Sequence, residues 1–91
     1  MSKDNTASHI ILTIKGQELA FAPNTTAYNS LINDMAMDNK IAPTVTYLRR
    51  IVVPESKAAL DALLALPGAA LQIAEAVNSQ YAPKLEIEIK N

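Results

Sequence analysis

Five prolines punctuate this chain, at Pro23, Pro43, Pro54, Pro67 and Pro83, and none of them can sit in a helix beyond its first turn or donate to a strand ladder. The fold must therefore be built from short elements that end or begin close to these positions. Before Pro23, the run His9-Ile10-Ile11-Leu12-Thr13-Ile14-Lys15 is β-branched and apolar, Gly16-Gln17 interrupts it, and Glu18-Leu19-Ala20-Phe21-Ala22 resumes with alternation. This predicts a β-hairpin over about His9 to Ala22. The first strand is apolar on both faces at Ile10, Ile11 and Leu12, which favours it for the central position of a sheet.

After Pro23, the Asn24-Thr25-Thr26 cluster offers side-chain oxygens to cap free helical N–H groups. Tyr28, Leu31, Ile32 and Met35 then recur at i, i+3, i+4 and i+7, so an amphipathic helix is expected to run to about Met37. Pro43 suits the first turn of a second helix, with Val45, Leu48 and Val52 on one face beside Ile51. The β-branched content of Thr44 to Val53 leaves a strand there as the alternative. Pro54 opens a third helical stretch carrying Leu60, Leu63 and Leu64, and Pro67-Gly68 closes it. A last helix from Ala69 to Tyr81 stacks Ala70, Ala74, Val77 and Tyr81, flanked by Leu71 and Ile73.

Beyond Pro83, Lys84-Leu85-Glu86-Ile87-Glu88-Ile89-Lys90 alternates without a fault. It is expected to be a strand that buries Leu85, Ile87 and Ile89 and pairs beside the first strand. The fold class that follows is α+β: an N-terminal hairpin, three to four central helices, and a C-terminal strand completing a small three-stranded sheet with helices on one face. Residues 1–8 are expected to form a flexible polar leader and residues 9–91 a single domain. At 91 residues the core is small, and burial in an oligomer or a complex would add to it.

Composition narrows the function. There is no cysteine, and His9 is the single histidine, so thiolate metal sites, thiol nucleophiles and His-based catalysis have no residues to build on. Asp34 and Asp38 lie four apart, but without a third ligand they read as a solvated helix end. Glu86 and Glu88, between Lys84 and Lys90, read as an ordinary solvated strand face. Gly16 and Gly68 are the only glycines, and neither lies in a phosphate-cradling loop. Eight basic and nine acidic residues leave a net charge of −1, which gives nucleic acid or an anionic membrane nothing to steer toward. The reading is a non-enzymatic binding protein with no cofactor and no metal, retained in the cytoplasm. Met37 lies off the core face of its helix, and with Ile41 it could receive an apolar partner. Tyr47, Arg49 and Arg50 on the following helix complete the candidate partner-binding surface.

Several of these segments together carry a family likeness. Ile11-Leu12-Thr13-Ile14 with Phe21, Tyr28-Asn29, Ile32-Asn33-Asp34-Met35, Asn39-Lys40-Ile41-Ala42-Pro43, Leu48-Arg49-Arg50, Pro67-Gly68-Ala69-Ala70-Leu71-Gln72-Ile73-Ala74 and Tyr81-Ala82-Pro83 resemble the bacteriophage tail assembly chaperones. Ala36-Met37-Asp38 departs from the family pattern, in which a second methionine and a proline are expected at this turn. The resemblance implies a chaperone of phage or prophage origin, acting in the cytoplasm of the bacterial host. It implies the tape-measure protein as partner, the tail-tube protein as a further one, and leaves self-association open. The competing readings are a structural tail component or generic self-associating domain and, more distantly, a small DNA-binding regulator, which the near-neutral charge disfavours.

Overall fold

A computed structural model describes residues 9–83 and 85–90. The proposed polar leader, residues 1–8, lies outside the described residues. The order of elements is β1 (Ile10–Ile14), β2 (Gln17–Phe21), α1 (Thr25–Asp34), α2 (Ile41–Ile51), a 3₁₀ turn (Pro54–Ser56), α3 (Lys57–Leu64) and α4 (Ala69–Tyr81). The class is α+β, as the alternation and helical spacing imply.

β1 and β2 form an antiparallel hairpin in which Ile10 faces Phe21 and Leu12 faces Leu19. The turn falls on Lys15-Gly16, one residue earlier than expected, with both at positive φ (52° and 80°). That is the requirement of a type I′ turn, whose twist matches the strands on either side. Leu19 and Phe21 are fully buried while Ile11 and Thr13 stay exposed, so helices cover one face of the hairpin and the other faces water. α4 packs on β1, and α3 with the 3₁₀ turn packs on β2.

Two features of the expected sheet are overturned. The segment with Leu85, Ile87 and Ile89 belongs to no strand, and these side chains are 74%, 77% and 85% exposed. The sheet of the described residues has two strands, not three. The second correction concerns strand order, because it is β2 that has neighbours on both edges. Val52 bridges Phe21, Ala22 N–H donates to the Ile51 carbonyl at 2.7 Å, and Val53 N–H donates to the Ala20 carbonyl at 3.0 Å. The Ser56 hydroxyl oxygen accepts from Ala20 N–H at 2.9 Å, which also satisfies that buried side chain. Among the described residues β1 pairs with β2 alone, so the strand read as central lies at the edge.

The helices follow their caps. Asn24 Oδ1 accepts from Ala27 N–H at 2.8 Å and starts α1. α1 ends at Asp34, short of Met37, because residues 36–39 form a tight turn in which Ala36 and Asn39 exchange two backbone hydrogen bonds of 3.1 Å. α2 starts at Ile41 and is a helix, settling the alternative between helix and strand. Pro43 sits within its first turn, where the missing N–H would have no intrahelical acceptor. Its buried face is Thr44, Tyr47, Leu48 and Ile51, rotated from the expected Val45, Leu48 and Val52. The Thr44 hydroxyl donates to the Lys40 carbonyl at 2.6 Å and so enters the core satisfied. At the other end, Leu66 to Ala69 turns with Gly68 at φ 76°, ψ −2°, the conformation of the third residue of a type II turn, and Ala69 N–H closes it on the Leu66 carbonyl. α2 packs against α1, α4 and α3, and the last turn of α4 also reaches α1 through Tyr81.

Candidate partner-binding surface

The five residues read as a partner surface separate into three places. Met37 is at the tip of the turn between α1 and α2 and is 93% exposed. Ile41 opens α2 at 52% exposure, and Ile32, on the last turn of α1, is exposed to the same degree. Three large apolar side chains are therefore left in water around one helix-turn-helix junction. Ile32 was assigned to the core by spacing, but the buried stripe of α1 is Ala27 and Leu31, with Tyr28 and Met35 half-buried, which turns Ile32 outward.

Tyr47 is not on that surface. It is 1% exposed, and its hydroxyl donates to Asn78 Oδ1 at 2.8 Å, tying α2 to α4. Its ring meets Tyr28 edge-on at a centroid distance of 6.4 Å, and Tyr28 meets Tyr81 likewise at 6.0 Å. The Tyr81 and Thr25 hydroxyls lie 3.1 Å apart at the rim of this cluster. Burial, followed by the neighbouring phenols of Tyr81 and Tyr28, pushes the Tyr47 pKa up to about 12. The helical spacing of Thr44, Tyr47, Leu48 and Ile51 is the signal that placed it inside.

Arg49 and Arg50 stand at the far end of α2, about 12 Å from Ile41 at 1.5 Å of rise per residue. Arg49 Nε pairs with Asp61 on α3 at 3.2 Å, both side chains about half exposed. Arg50 borders a small hollow between α1 and α2 with Asp34 on its other wall. Among the described residues no group of three or more His, Cys, Asp or Glu side chains comes together to hold a metal ion. Asp34 closes α1 while Asp38 lies in the turn beyond it, so they do not share a helix face.

A second apolar feature was not foreseen. A groove of about 380 Å³ runs between β1 and the α3–α4 corner, with Leu12 and Ile14 on the strand side and Leu66, Ala69, Ile73 and Ala76 on the other. Along the strand lies a second depression, lined by residues 9–12 on one side and Ala76, Ser79 and Gln80 on the other. Leu66, 45% exposed and placed just before Pro67, was the sequence clue to it.

The family model for phage tail assembly chaperones matches residues 10–91 of this chain. The chain belongs to the phage tail assembly chaperone family. Among relatives, this chaperone is 33% identical over 87 residues to a protein of Haemophilus phage HP1 (strain HP1c1) described as "Uncharacterized 11.3 kDa protein in lys 3'region", covering 96% of the chain and 85% of the relative. No solved structure matches it. The matched stretch takes in every helix and strand described above, together with the exposed junction and the groove of this chaperone.

Proposed function

We propose that this chaperone binds the tape-measure protein of its phage in the host cytoplasm during tail assembly, through apolar contacts centred on the junction between α1 and α2. The observation that carries the reading is the exposure of Met37, Ile41 and Ile32 around one turn. An unbranched, polarisable methionine at the tip of a turn adapts to apolar side chains of varied shape, which suits a partner presenting a long helical surface. Contacts of this kind release without chemistry when tube subunits displace them, and the tail-tube protein is the natural successor. Arg49, held by Asp61, and Arg50, at the opposite end of α2, would lie at the rim, where exposed charges contribute little affinity.

Coexpression with the tape-measure protein of the same phage tests this. The two proteins are expected to copurify, in a complex that tolerates raised salt. Met37→Glu with Ile41→Glu should weaken copurification at least tenfold while moving the melting temperature by no more than about 3 °C, because Met37 is in water and Ile41 half exposed in the free protein and only the complex would fully bury the new charges. No copurification with any tail protein, with both components folded, overturns the reading. Recovery of the protein in finished tails instead would favour a structural tail component.

A further inference from the structure

The two edges of the hairpin differ in a way that bears on assembly. The outer edge of β2 is closed by Ile51, Val53 and Ser56, whereas β1 presents its far edge to the groove below α4. β1 reads Ile-Ile-Leu-Thr-Ile, with no charge and no proline within it. An uncharged edge of this kind templates another strand unless something covers it. The same chain carries a strand-forming segment without a sheet. Residues 85–90 alternate Leu85, Ile87 and Ile89 with Glu86, Glu88 and Lys90, and the three apolar side chains are mostly exposed.

The two unfilled features match in length and in pattern. Six residues extend about 20 Å and the five of β1 about 17 Å, at 3.3 to 3.4 Å per residue. On β1, Ile10, Leu12 and Ile14 turn toward the helices while Ile11 and Thr13 face water, and the alternation of residues 85–90 supplies the same apolar and polar sides. We infer that residues 85–90 of one chain add as a strand to the β1 edge of a second copy, and that the exchange is reciprocal, giving a two-fold dimer. Leu85, Ile87 and Ile89 then fill the groove beside Leu12, Leu66 and Ile73, and Glu86 and Glu88 stay in water.

The occupant is a second copy and not the chain's own terminus, because within the single chain residues 85–90 lie off the β1 edge and leave their three apolar side chains exposed. α4 is capped by Ala82, at φ −124° and ψ 66°, Pro83 follows with its own φ fixed by the ring, and residues 85–90 beyond are exposed. Among the described residues each copy has one open edge and one unpaired strand, so a reciprocal exchange between two copies satisfies both, and the new outer edge carries Glu86, Glu88 and Lys90, which discourage a further strand. This dimer does not depend on which tail protein the chaperone binds.

The test is the mass of the full-length protein in solution by light scattering, at concentrations up to roughly 100 µM, where a dimer of micromolar affinity is mostly formed. A dimer is expected, and Ile87→Glu with Ile89→Glu should make it a monomer that still melts cooperatively, since neither side chain is packed in the single chain. The absence of cysteine allows a second arm. Thr13→Cys chains mixed with Glu88→Cys chains should join through a short thiol cross-linker into a heterodimer. A monomer throughout the range, a dimer unaffected by the two glutamates, or a cross-link formed within one chain of the Thr13→Cys, Glu88→Cys double variant would each overturn the inference.

Discussion

Replacing Tyr47 with phenylalanine separates a core role from a binding role with the loss of one oxygen. The ring stays, along with its edge-on contact to Tyr28, and what disappears is the hydrogen bond donated to Asn78 Oδ1 at 2.8 Å across the α2–α4 packing. A buried hydrogen bond contributes about 0.5–1.5 kcal/mol net, and stranding the half-buried Asn78 acceptor moves the loss toward about 1–2 kcal/mol. Unfolding entropy of about 2.1 cal/mol/K per residue gives roughly 0.19 kcal/mol/K for 91 residues, so the melting temperature should fall by about 5–10 °C. Thermal melts followed by circular dichroism read this directly, and an alkaline series reads it again. The neutral phenol is favoured in the folded protein, so unfolded chains lose the proton first. The stabilisation is fully present below the ordinary value of 10.0 and is lost as pH rises through about 12. Tyr47→Phe should remove that part of the alkaline loss. An unchanged melting temperature, or a folded variant that binds its tail partner less well, would refute the assignment of Tyr47 to the core.

Two further measurements probe the scaffold. Lys15 sits at φ 52° in a turn that favours Asn-Gly, so Lys15→Asn should raise stability by about 0.5–1 kcal/mol, or roughly 3–5 °C, and a lowered melting temperature would contradict the turn assignment. Arg49→Ala removes a half-exposed pair with Asp61 and should cost less than about 1 kcal/mol, an effect that shrinks as salt rises; a large, salt-independent loss would mean the pair is not the surface contact described.

The parts of this fold that were legible in the sequence are those with local causes. Pro67-Gly68 and Pro83 bracket α4, Asn24 caps α1, and the alternation of Leu19 and Phe21 marks the buried face of β2. What was not legible depends on which edge meets which. Alternation in residues 85–90 declares a segment able to form a strand but says nothing about where its partner lies, and a third strand was expected within the chain. The strand order was misread because Ile11 makes β1 apolar on both sides, and edge position is decided elsewhere, by the backbone of residues 51–53 lying along β2. The β-branched Ile51-Val52-Val53 run was the available clue, and it read as a rival to the helix when Ile51 ends the helix and Val52-Val53 form the short extended piece that follows it. For the candidate surface, Met37 is exposed and Ile41 half exposed, while Tyr47 lies on the buried side of α2 because the buried stripe is rotated by about one residue.

The seal that Ile51, Val53 and Ser56 place on β2 also constrains the order in which the chain can fold. The bond from Ala20 N–H to the Ser56 oxygen spans 36 residues, so closing it means first bringing together the ends of a loop that contains all of α1 and α2. The hairpin, though local, cannot reach its full amide protection until α2 has docked, because until then the amides of Ala20 and Ala22 have only water as acceptor. Hairpin and α2 therefore form one cooperative unit, and those two amides belong with the slowest to exchange their hydrogens, released only when the whole unit opens.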